Sequence, residues 1–194
     1  MGVEFQEILV HLLGKRAEVR FDDFLGELAR CLENEATLIT LSDHGFCSLK
    51  KELYINRWLR QKGWLKFTKS PPESWTDIDG TSKAYSLAPG RIYVNLRGWE
   101  PKGCVEPSEE YERVREELAE EIGALKDPHS GEPMIEMVFK REELYNGPRF
   151  PWAPDLVVKP RRGYDTKGSP KKESLTGRGP IVGMHACEDA FLFI

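Results

Sequence analysis

The stretch Thr37-Leu38-Ile39-Thr40-Leu41-Ser42-Asp43-His44-Gly45-Phe46 decides how this chain is read. An apolar run with strand character ends in a carboxylate and an imidazole placed side by side. Successive side chains of a strand point to opposite faces, so Asp43 and His44 converge only if the backbone leaves extended geometry there. Gly45 supplies the conformational freedom for such a turn. A neutral imidazole beside a carboxylate is a ligand pair suited to zinc, manganese or iron.

Upstream, residues 19–33 have helical spacing: Phe21, Phe24, Leu25, Leu28 and Leu32 recur on one face, with Asp22 and Asp23 in the first turn. Residues 36–41 then read as a buried strand, and ligands of α/β sheets gather at the carboxyl ends of strands. Downstream, residues 50–61 suggest a second helix carrying Ile55, Trp58 and Leu59 and closed by Gly63. Residues 68–80 are rich in Pro, Ser, Asp and Thr and read as a loop.

Ile92, Val94 and Leu96 alternate with Arg91, Tyr93 and Asn95, the pattern of a half-buried strand. Pro107-Ser108 opens a helix whose apolar stripe is Tyr111, Val114, Leu118, Ile122 and Leu125. Asp127 to Gly131 is a turn signal, and strands are expected at 134–139, 156–158 and 190–194. The alternation of helices and strands indicates an α/β layer structure.

Composition narrows the function classes. A chain of 194 residues with 40% hydrophobic and 31% charged residues has enough core to fold as one domain of ordinary size. The net charge of -4 argues against a general nucleic-acid or membrane-surface binder. No apolar run approaches a membrane span, and Met1-Gly2-Val3-Glu4-Phe5 lacks the basic start of a secretory signal. Cys31, Cys47, Cys104 and Cys187 form no C-x-x-C pair, so they read as reduced thiols in a cytoplasmic protein.

Four histidines are available. His11 lies in an apolar segment, as a hydrogen-bonded core or boundary histidine would, and His129 lies in a polar turn as an exposed, inert residue would. His185, in Gly183-Met184-His185 on a glycine-flanked loop entering the last strand, is the candidate to join Asp43 and His44. Lys159 to Lys172 carries six basic residues and one acid, Asp165. Such a run is either a solvated loop or a phosphate-contacting one. Gly177-Arg178-Gly179-Pro180 reads as a lid or a linker. A nucleophile elbow and a Gly-rich phosphate loop are both absent.

These residues resemble the alkaline phosphatase superfamily, in its nucleotide pyrophosphatase/phosphodiesterase-like branch of predicted phosphohydrolases and phosphomutases. The likeness rests on Leu38 to Phe46, on Tyr54-Ile55-Asn56-Arg57-Trp58-Leu59 and on Ala84-Tyr85-Ser86-Leu87. It continues through Arg91 to Leu96, Gly103-Cys104-Val105, Tyr145-Asn146-Gly147-Pro148 and Ala153-Pro154-Asp155-Leu156. Gly183-Met184-His185 resembles the family's last metal-binding histidine.

The resemblance implies the C-terminal portion of a three-layer α/β/α alkaline phosphatase-like sheet, residues 1–194, with an inserted α+β subregion at 64–150. It further implies a two-metal phosphoryl-transfer site acting on phosphate esters or nucleotides. Asp43 and His44 would hold one metal and His185 the other, with zinc as first expectation and manganese or magnesium as alternatives.

The chain departs from the family in lacking the N-terminal half that carries a metal-binding aspartate, a Thr or Ser nucleophile and a second Asp-x-x-x-His pair. A catalytic zinc takes three protein ligands, so two ligands for one metal and one for the other fall short. The missing layer would also leave an edge or face of the sheet uncovered.

Three readings follow. The first is a metal-dependent phosphohydrolase or phosphodiesterase half, inactive alone and completed by a separately encoded N-terminal half. The second is a non-catalytic remnant acting as an oligomerisation or protein-interaction module, and the third is a weak phosphate-ester or nucleotide binder using the basic run.

Overall fold

A computed structural model describes residues 21–32, 36–188 and 190–194, so the reading of His11 lies outside the described residues. The chain divides into two compact units, residues 1–45 with 187–194, and residues 46–186. No helix among the described residues is long and apolar enough to cross a membrane. The four cysteines are free.

In the first unit, helix α1 (Phe21–Leu32) turns Phe24, Leu25, Leu28 and Leu32 to its half-buried face, as the spacing predicts. Strand β1 is shorter than expected, Thr40–Ser42. It is also not buried: Ile39 is 56% and Leu41 65% exposed. The apolar run reads as interior, but among the described residues its one hydrogen-bonded neighbour is the last strand, Phe191–Phe193, antiparallel with Leu41 opposite Leu192.

The second unit opens with β2 (Gly45–Ser48, from its second residue), β3 (Lys51–Tyr54) and α2 (Ile55–Lys62). The helix expected at 50–61 therefore begins as strand, over Lys51–Tyr54. The backbone of β3 is claimed on both sides, in parallel by β8 (Tyr164–Lys167) and antiparallel by β9 (Thr176–Gly177), and this pairing overrides the local helical spacing. Gly63 closes α2 in the left-handed region at φ 81°, where a side chain would be strained.

A four-stranded antiparallel sheet forms the body of this unit. Its strands are β4 (Ala84–Ala88), β5 (Arg91–Val94), β6 (Ile135–Lys140) and β7 (Leu156–Pro160), in the order β4-β5-β7-β6. Helix α3 (Glu109–Gly123) begins where the sequence places it, with the Ser108 hydroxyl accepting from the Glu110 N–H. Its Tyr111, Val114, Leu118 and Ile122 enter one core with Ile92, Val94, Leu156 and Val158. The short helix α4 (Arg141–Leu144) follows β6 directly. The unit ends in β10 (Gly183–Ala186), which pairs with β2, and the last strand of the chain, Phe191–Phe193, is β11.

Buried polar side chains tie these pieces together. Asn56, fully buried on α2, donates from Nδ2 to the carbonyls of Ser86 and Gly168, both at 2.7 Å, and accepts the Ser86 N–H on Oδ1 at 2.9 Å. Asp155 accepts from the Val94 N–H at 2.7 Å and the Tyr111 hydroxyl at 2.5 Å, with Arg141 at 3.5 Å. The turn at 127–131 is built on a third such group. Asp127 takes the N–H groups of His129 and Ser130 and the Lys51 ammonium at 2.6 Å, while His129 itself is exposed.

Burial opposes ionisation of Asp127, but Lys51 and the two N–H donors outweigh it and hold the carboxyl below the ordinary carboxylate range. A depressed folded value means this group stabilises the fold above the unfolded carboxylate range, and that contribution is lost as pH falls through the folded value. In urea titrations, stability should decline on acidification below about pH 4, and Asp127→Asn should flatten that decline. Asn56→Ala strands two carbonyls and an N–H in the interior, and should cost about 2–4 kcal/mol in the same measurement.

Candidate functional site

The chain leaves extended geometry where the sequence requires it, although the device differs from the one expected. Strand β1 stops at Ser42, the bend falls at Asp43, and Gly45 already opens β2. The Ser42 hydroxyl donates to the His44 carbonyl at 2.7 Å and holds the bend. The result brings Asp43 Oδ1 to 3.7 Å from His44 Nε2. Two ligand atoms on one tetrahedral zinc, with bonds of about 2.0–2.1 Å, stand roughly 3.3 Å apart, so this pair is close to a shared-ion spacing.

The imidazole is also oriented for that role. His44 Nδ1 lies 3.0 Å from the Gly45 carbonyl, which can only accept, so Nδ1 carries a proton and Nε2 faces the carboxylate. A metal-binding histidine is held in this way, with one ring nitrogen fixed by a carbonyl and the other presented. The Asp43 side chain is 87% exposed, so it gives up much hydration on binding an ion.

The ligand count is nevertheless short. Among the described residues no group of three or more His, Cys, Asp or Glu side chains is gathered where it could hold a metal ion. The described residues therefore do not by themselves make a catalytic metal site.

His185 belongs to the second unit and sits within β10, where the sequence suggests a loop. It is exposed, and its ring meets Phe46 edge-on at 5.3 Å between centroids, 65° apart. Gly183 makes room for that ring: a Cβ there would stand 3.1 Å from Phe46.

The basic run proves only partly solvated. Lys159 pairs with Glu136 at 2.8 Å and Lys167 with Asp165 at 2.6 Å, while the Lys172 ammonium stands 4.9 Å from the centre of the Tyr54 ring. The Gly177–Pro180 segment packs closely, since a Cβ on Gly177 would lie 2.8 Å from the Tyr54 hydroxyl. Sequence reasoning missed the cluster beneath it. Tyr54 donates to Glu52 at 2.5 Å, and burial, then Glu52, push the phenol up to about 12. These residues sit where a helix was expected, and only the strand geometry of β3 exposes their relation.

A family model for type I phosphodiesterase/nucleotide pyrophosphatase matches residues 15–187. The chain belongs to that family. The match takes in Asp43, His44 and His185, and places this phosphodiesterase-family chain in the alkaline phosphatase superfamily. No curated protein and no solved structure matches it. The described fold of this family member is a mixed α/β one with separate sheets and four helices.

Proposed function

We propose that this chain carries part of a two-metal phosphoester hydrolase site, with Asp43 and His44 as ligands of one divalent cation and His185 as a ligand of the other. The observation that carries the reading is the approach of Asp43 Oδ1 to His44 Nε2 at 3.7 Å, with Nδ1 of the same ring anchored on a carbonyl. Membership of the phosphodiesterase family supplies the reaction class, hydrolysis of phosphate esters or nucleotides. Zinc is the first expectation for the metal, and paired ions of this kind activate the attacking oxygen and stabilise the leaving one. Asp43 contributes charge, His44 contributes a fixed nitrogen, and the nucleophile and remaining ligands come from polypeptide outside these 194 residues.

The same additional polypeptide would complete the three-layer sheet. Leu41 and Leu192, paired across β1 and β11, are 65% and 62% exposed, and Ile39 and Ile194, which flank the pair, are 56% and 84% exposed. An isolated two-stranded ribbon is marginal in water, so further strands packed there would stabilise it. This apolar ribbon also favours a second reading, in which the chain is an interaction or oligomerisation module without catalysis.

The two readings separate in one assay. Hydrolysis of bis(4-nitrophenyl) phosphate should be at blank level for the chain alone with zinc, manganese or magnesium. It should become metal-dependent when the polypeptide carrying the nucleophile is added. Asp43→Ala or His185→Ala should then lower the rate by more than about 100-fold. An inactive reconstituted pair with all three metals would overturn the hydrolase reading and leave the module.

A further inference from the structure

A cleft in the second unit is independent of the metal ligands and of the phosphoester reading. Two adjoining cavities, of about 380 and 490 Å³, share Tyr85, Leu87 and Glu100. Volumes in this range suit a small organic ligand. The walls are rich in aromatic rings. Tyr85 and Tyr93 stack at 5.6 Å and 14°, Trp75 stands 6.3 Å from Tyr85, and Trp99 and Trp152 approach to 6.1 Å. Trp99 and Trp152 remain 51% and 57% exposed, although indole is among the side chains that gain most from leaving water.

The charge pattern identifies the kind of ligand. Glu100 borders both cavities, and its Oε1 accepts the Tyr85 hydroxyl; among the described residues no ion pair reaches it. Two cations, Lys102 and Arg141, line the cavities, and each is engaged by other partners. Lys102 donates to the carbonyls of Thr76 and Ile78 at 3.0 and 2.8 Å, and Arg141 faces Asp155 at 3.5 Å. Burial, then Glu100, push the Tyr85 phenol up, so it stays a donor to the carboxylate.

The ring faces at this site already attract positive charge. Arg149 lies over Trp152 at 4.9 Å and Arg141 over Phe150 at 5.0 Å. An aromatic wall around a carboxylate that lacks a cation favours a positively charged group with an apolar skin. An anion would meet Glu100, and a neutral apolar ligand would leave that carboxylate desolvated without return.

We infer that this cleft binds a small organic ammonium ion, its charge set against Glu100 and the face of Trp99, its apolar part along Leu87. Titrating the full chain with tetramethylammonium at fixed ionic strength, followed by tryptophan fluorescence, tests this directly. Neutral tert-butyl alcohol, of similar size, is the control. The expected result is a saturable change with tetramethylammonium, at least about fivefold tighter than with the alcohol. Glu100→Gln, which keeps an acceptor for Tyr85, should erase that preference, and Trp99→Leu should weaken the ammonium ion. Absence of saturation with tetramethylammonium, equal response to the alcohol, or an unchanged Glu100→Gln titration would overturn the inference.

Discussion

Asn56 satisfies two carbonyls and an N–H from a position with no access to water, and the second unit is organised around that exchange. An apolar core is non-directional and would tolerate small slips of α2 against β4. A buried amide that must meet both Ser86 and Gly168 does not, because each lost bond leaves a desolvated polar group. Asp155 imposes the same condition on β5, α3 and α4. Asn95 does so between the Ser82 and Lys102 carbonyls. Three residues from the segments that carry the family likeness thus act as cross-links of the fold.

The first strand imposes a different constraint. A strand end followed by a bend can turn two adjacent side chains toward one ion, and the Ser42 hydroxyl holds that bend at Asp43. Two ligands do not make a catalytic metal site. His44 Nδ1 is anchored on the Gly45 carbonyl, and Nε2 lies 3.7 Å from Asp43 Oδ1. Leu41 of β1 and Leu192 of β11 leave apolar side chains exposed along the same strand pair.

What was legible in the sequence was local. Ser108 and the stripe Tyr111, Val114, Leu118 and Ile122 announce α3, Gly63 announces the end of α2, and alternation announces β5. The approach of Asp43 to His44 depends on the bend at Asp43, which the Ser42 hydroxyl holds. The errors share one cause. Residues 51–54 fit a helix until β8 and β9, more than a hundred positions away, claim their backbone. The run before Asp43 looks interior by composition, yet burial depends on what packs against it. The aromatic cleft gathers Trp75, Tyr85, Trp99 and Trp152 from separate loops and strands, and no spacing rule joins them.

The central claim is that Asp43 and His44 form a ligand pair on one ion. Imidazole nitrogen resonances of the chain, followed during zinc titration, test it most directly. The account predicts a saturable shift of His44 Nε2 with Nδ1 remaining protonated, lost in Asp43→Asn. A His44 ring that does not respond to zinc, responds through Nδ1, or responds equally in Asp43→Asn would contradict it.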